Sequence, residues 1–173
     1  VAAIAAGVLI NTAGFLQTQA ESTGQESTDQ VSNNIEVLGA SGTVNSGEVD
    51  QVNLTVTRTA GSDDIDLDEV SIEWIGDNGF ANLISTTAAS EAGAANQDGT
   101  FEISQINAET SDNVITADAD RYDVGIDIGG VTGLSNLSPG DTATLTLTTQ
   151  DGASREASLT VPSTLQDKNN VPL

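Results

Sequence analysis

Cysteine, histidine and methionine are absent from the 173 residues, and aromatic residues make up only 3%. Without cysteine there is no disulfide, thiolate metal site or thiol nucleophile. Without histidine there is no imidazole acid–base group. Basic residues are nearly missing as well: 4 Lys+Arg stand against 26 Asp+Glu, a net charge of −22. That balance excludes binding to a phosphate backbone, which needs Lys and Arg to displace counterions. A serine nucleophile would lack its usual base, since the single lysine, Lys168, lies near the C-terminus. The paired carboxylates of a glycosidase would need one acid raised in pKa inside an aromatic-lined cleft, and the aromatics are too few. The composition points away from an enzyme, and no cofactor is required.

The acid that is present is spread along the chain, so it reads as the coat of a folded domain, unlike a charged disordered tail. Such a coat repels itself in dilute buffer. Molar salt shrinks the screening length to about 3 Å and removes most of that penalty. The balance fits a protein working in concentrated brine, with an ordinary acidic extracellular protein as the alternative.

Two textures follow one another. Residues 1–16, VAAIAAGVLINTAGFL, carry no charge, and residues 17–38 are polar without proline or aromatics. Leu9, Ala13, Leu16, Ala20, Gly24, Ser27, Val31, Ile35 and Leu38 recur at steps of three and four, which predicts one helix over both stretches. The Thr, Ser and Gly of residues 17–30 are weak helix formers and could break it. Val1, Ile4, Val8, Leu9, Phe15 and Leu16 form a bulky face, while Gly7 and Gly14 lie across from it beside Ile10. A helix with no polar face must be buried in lipid or among other helices, and bulky and small faces together suit a bundle of identical copies. A secretory signal would carry a basic start, and a membrane anchor needs about 20 apolar residues. Gly39–Gly42, GASG, reads as a helix stop and linker. The expected division is therefore a polymerisation helix over 1–40 and an all-β body over 41–173.

In the body the period becomes two. Strands are expected around Val49–Val56 (with a phase slip near Gln51), Val70–Trp74, Phe80–Ile84, Phe101–Ile103, Val114–Ile115, Tyr122–Ile128, Leu145–Leu147 and Leu159–Val161. Turn residues separate them at Gly61–Asp64, Asp77–Gly79, Asp98–Gly99, Gly129–Gly130, Pro139–Asp141 and Asp151–Ser154. Residues 142–149 and 155–162 make the clearest hairpin, and 85–97 reads as an exposed loop. Seven or eight short strands fit an immunoglobulin-like sandwich, so the whole is α+β, with Trp74 in the core.

Three features could carry chemistry on the body. Asp118, Asp120 and Asp123 offer oxygen ligands at short spacing for Ca²⁺ or Mg²⁺, although Arg121 sits among them and no EF-hand pattern follows. Asp63, Asp64, Asp66 and Asp68 form a second acidic stretch, and in so acidic a chain both also read as solvated loop charge. Asn53-Leu54-Thr55 and Asn136-Leu137-Ser138 are N-glycosylation sequons.

The stretch AAGVLINTAGFLQTQAESTGQESTDQVSN, from Ala5 on, resembles the N-terminal segment of archaellins, the archaeal flagellins. The β-rich remainder and the ending SLTVPSTLQDKNNVPL are similar to those of halophilic members. The resemblance implies a subunit whose helix polymerises, as in type IV pilins, into the core of an extracellular archaellum filament for swimming. Its polymerisation interface would comprise Val1, Ile4, Gly7, Val8, Leu9, Ile10, Gly14, Phe15 and Leu16. The implied partners are many copies of itself, with or without paralogues, together with the archaellum motor and a prepilin-type peptidase. Contact with the membrane would be transient, before assembly. Members usually carry further apolar residues ahead of the position of Val1. Two other readings stay open at this level: an adhesive type IV pilin with the same core helix, and a membrane-anchored glycan-binding domain.

Overall fold

The computed structural model describes residues 2–91, 99–108, 110 and 112–173, with side chains from Gly7 onward except that of Glu91. It opens with α1 (Ala2–Ser32), 31 residues and so about 46 Å long at 1.5 Å per residue. The weak helix formers stay helical because their polar groups bond along the helix. Gln17 donates to Glu21 at 2.9 Å and Gln25 to Asp29 at 2.7 Å. The hydroxyls of Thr12, Thr18, Ser27 and Thr28 donate to carbonyls four residues back, so each is satisfied within the helix.

The helix ends before the expected Leu38. The Asn34 amide donates to the Val31 carbonyl at 3.0 Å and closes the last turn. Ile35 and Leu38 belong instead to strand β1 (Ile35–Asn45), as do all of Gly39–Gly42. The change from helix to sheet thus falls at Asn33–Asn34, ahead of the expected 40/41 division. Gly42 serves sheet packing: a Cβ there would lie 2.7 Å from Val49 Cγ1.

The body continues with β2 (Glu48–Arg58), β3 (Ile65–Asp66), β4 (Ser71–Gly76), β5 (Gly79–Ser85), α2 (Thr86–Glu91), β6 (Thr100–Asn107), β7 (Val114–Ile115), β8 (Arg121–Asp127), β9 (Thr142–Thr148), β10 (Ser154–Thr160) and β11 (Asn170–Pro172). Among the described residues nine strands join in the order β10-β9-β4-β5-β6-β8-β2-β1-β11, and β3 pairs with β7 apart from them. The pairings among the described residues are antiparallel except that of β5 with β6, which meet at Ile84–Thr100 and Ser85–Phe101. The sheet curls there, so that Trp74, Leu83, Leu145 and Leu147 of one half share a core with Val52, Leu54, Val56, Tyr122 and Ile126 of the other. This is the expected α+β arrangement of a helix and a two-layered β body.

The phase slip near Gln51 is a bulge opposite Thr43–Val44. The Asp77–Gly79 turn also forms. Gly79 has φ of +133°, and a Cβ would meet the Gly133 carbonyl, so only glycine fits. The exposed loop expected over 85–97 is partly helical. Ser85 is buried, its Oγ accepts from the Ala88 N–H at 2.9 Å, and α2 follows with Ala89 packed inside. Residues 92–98, including Asp98 of an expected turn, lie outside the described residues.

Trp74 is fully buried, and its indole N–H donates to Asn78 Oδ1 at 2.9 Å. Tyr122, the single tyrosine, is also buried, with its hydroxyl 3.2 Å from the Val114 carbonyl. Burial first, then the charges of Asp112 and Asp120, push its phenol above the ordinary value. An ultraviolet titration should find phenolate forming at higher pH in the folded body than in denaturant, where the free value of about 10 returns. Because the fold favours the neutral phenol, this contribution to stability is intact below the unfolded value. It is lost as pH rises from there through the folded one.

Candidate assembly surface

The helix stands off the body with its apolar side chains in the open. Val8, Leu9, Ile10, Phe15 and Leu16 are 60–74% exposed. Val1 lies outside the described residues and the side chain of Ile4 is not described. Nothing lies within 4 Å of a Cβ added at Gly7 or Gly14, so the small face is open as well. Each large apolar side chain left in water forgoes about 1.5–3 kcal/mol. No helix among the described residues is long and apolar enough to cross a membrane.

At 100° per residue, Leu9, Ala13, Leu16, Ala20, Gly24, Ser27 and Val31 fall within an arc of roughly 80°. Glu21, Glu26 and Asp29 centre on the opposite side. An acid-free stripe therefore runs from the uncharged half through the polar half to Val31, which is itself exposed. A second helix can approach along it without bringing carboxylates together.

A polar joint holds the helix to the body. Asn33 is buried; its amide donates to Asp151 at 2.9 Å, and its Oδ1 accepts from the Asp63 N–H at 2.9 Å. The Ser62 hydroxyl donates to the Ser32 carbonyl at 2.7 Å, and Thr149 to that of Asn33 at 3.3 Å. Arg58 steadies the 59–64 loop from behind, donating to the Ser62 carbonyl and pairing with Asp64 and Asp118 at 3.4 and 3.0 Å. Periodicity does not mark these residues. The signals available were an Asn-Asn pair where a helix stops and the rarity of arginine.

The three candidate metal ligands are turned to separate tasks. Asp118 pairs with Arg58, and Asp123 accepts from the Thr55 hydroxyl at 2.7 Å. Asp120 is buried and accepts from the Thr116 and Ala117 N–H groups at 3.0 and 2.9 Å. Arg121 donates to the carbonyls of Asp118 and Asp120. Among the described residues no group of three or more carboxylates is placed to hold a metal ion, so the expected convergence of Asp118, Asp120 and Asp123 does not occur. Asp66 likewise caps the turn at Asp68, and Asp64 serves Arg58.

Of the two sequons, Asn53 lies on β2 between Ser41 and Gly125 on neighbouring strands. Both neighbours are small and the row faces outward, so the amide side chain is half-exposed. Asn136 is half-exposed in the loop before β9.

The model of the archaeal-type flagellin family matches residues 1–159. Flagellin A2 of Halobacterium salinarum is 46% identical over 173 residues, covering 100% of this chain and 86% of that protein. Flagellin A2 of Haloferax volcanii is 37% identical, covering 97% and 84%. Among solved structures, the archaeal flagellum of Methanospirillum hungatei superposes with a TM-score of 0.70 at 16% identity, covering 99% of this chain and 90% of that one. A crystal structure of a Methanocaldococcus jannaschii flagellin gives 0.66 at 16%, covering 82% and 96%. At that identity the two structures speak for the fold alone.

The joint can be tested directly. Asn33→Ala removes the two hydrogen bonds of a buried side chain, to Asp151 and to the Asp63 N–H, a cost of about 1 kcal/mol for each. Limited proteolysis should then cut faster near residues 32–35 while Trp74 emission stays that of the folded body. Unchanged cleavage would mean that Asn33 does not hold the joint.

Proposed function

The chain belongs to the archaeal-type flagellin family, and from that membership we propose how this subunit builds a motility filament. It is a structural subunit of the archaellum, polymerising with copies of itself through α1. The observation that carries the mechanism is the helix whose large apolar side chains, from Val8 to Leu16, are exposed in the single chain. Packing against sister helices removes them from water. The five such side chains contribute on the order of 10 kcal/mol before the entropy of association is subtracted.

Val1, Ile4, Gly7, Val8, Leu9, Ile10, Gly14, Phe15 and Leu16 form this interface, with the glycines letting neighbouring backbones approach. The β body clothes the core and faces the outside of the cell, carrying N-glycans at Asn53 and Asn136. The motor at the filament base and a prepilin-type peptidase acting before assembly are its further partners. It catalyses nothing and needs no cofactor.

Assembly brings chains of charge −22 together, so the polymer depends on screening. Electron microscopy of the purified protein should show long regular filaments in molar salt that shorten or dissolve on dialysis to low salt. Leu16→Asp should abolish them in either buffer while leaving the body folded. Deleting the gene should remove swimming and spare surface attachment; the reverse outcome would indicate an adhesive pilin. A chain that stays dispersed in molar salt would overturn the filament reading.

A further inference from the structure

Among the described residues, four of the five large apolar side chains exposed on the body, all but Ile84 on β5, fall at its two ends. At the end away from the helix, Ile75 on β4 and Phe80 on β5 are cross-strand partners beside the 77–78 turn, each about half exposed. Their row across the sheet runs Ser158–Thr144–Ile75–Phe80 and carries no charge. At the helix end, Leu38 and Ile106 are equally exposed. Each sits where a strand bulges, between Val37 and Gly39 on β1 and between Gln105 and Asn107 on β6. The strand ends fix this placement: Ile35 pairs with Arg58, Asn107 pairs with Arg121, and Thr59 bonds Asn34 directly after the helix. A bulge turns the extra side chain away from its partner strand, and here it leaves an isoleucine and a leucine in water on a protein otherwise coated with carboxylate.

We infer that the bodies stack head to tail along the filament, the Ile75–Phe80 pair of one copy seating against the Leu38 and Ile106 rim of the next. The occupant is a second copy of this chain, and the inference rests on the filament reading above. Two observations support that occupant. The helix-end rim continues from the assembly surface along the chain: Leu38 lies on β1, which starts at Ile35 directly after the Asn33 joint from which α1 and its exposed Val31 emerge. Parallel packing of the helices also gives every body the same polarity. Tip can then meet base but never tip, which is the heterologous contact that propagates into a filament and does not close a dimer. Charge acts in the same direction. Bodies this acidic approach at least cost through an uncharged row, and the two apolar ends are where the removal of water favours contact.

The absence of cysteine makes the test clean, since any introduced thiol is unique. In assembled filaments, Phe80→Cys with Ile106→Cys treated with a short bismaleimide should give a ladder of dimers, trimers and longer chains. Phe80→Cys alone should give none. Maleimide labelling of Phe80→Cys should also be lost on assembly, whereas Ser104→Cys, on the outer face of β6, should label equally before and after. Dimers from Phe80→Cys alone, or unchanged labelling in filaments, would overturn the stacking. If the variants do not assemble, a density map of wild-type filaments decides: Phe80 against the neighbouring Leu38 or Ile106 supports the inference, and Phe80 in solvent or under another molecule overturns it. Filaments without this contact defeat only the stacking, whereas a wild-type chain that never polymerises defeats the function it rests on.

Discussion

An apolar helix that its own chain does not cover is the constraint from which the other features follow. The β body has a complete core of its own, built from Trp74, Tyr122, Phe101 and the inward Val, Leu and Ile of both halves, and asks nothing of α1. The helix from Val8 to Leu16 is exposed on all sides in the single chain. Local side-chain bonds run along α1, but the packing that stabilises a helix has to come from elsewhere. Sister copies supply that burial with the geometry the sequence already provides, a bulky face, glycines across from it and an acid-free stripe down to Val31.

Charge shapes how that association can proceed. The acids on α1 gather on one side, opposite the stripe. On the body, two of the four basic residues, Arg58 and Arg121, sit behind the joint between helix and sheet. There Arg58 pairs with Asp64 and Asp118, and Arg121 donates to the carbonyls of Asp118 and Asp120. Half of the few cations are thus placed beside the joint, on a surface that is otherwise mostly negative. A joint fastened by Asn33, Ser62 and Thr149 transmits a displacement of the helix to the body, which a flexible linker would absorb.

Most of this fold was legible from periodicity. The β2, β4, β5, β6, β8, β9 and β10 strands follow from alternation at Val52–Val56, Ile72–Trp74 and the Thr/Leu pattern of 142–148, because one face of each is buried and the other wet. The exposed helix followed from the lack of charge in 1–16. β1 was hidden because Ile35 and Leu38 continue the helical spacing and Gly39–Gly42 imitates a linker. Only the partner strand β2 and the close approach at Val49 explain those glycines. β11 is three residues long and carries no period. The acidic triplet misled for another reason: spacing along the chain says nothing about direction, and Asp118, Asp120 and Asp123 point to Arg58, the 116–117 backbone and Thr55.

Amide hydrogen exchange along α1, compared between dispersed chains and assembled filaments in the same salt, tests the burial of the helix most directly. The account predicts fast exchange over residues 8–24 in the dispersed chain and protection approaching that of the body's core strands once assembled. Equal exchange in both states, or protection that appears only with lipid, would contradict it.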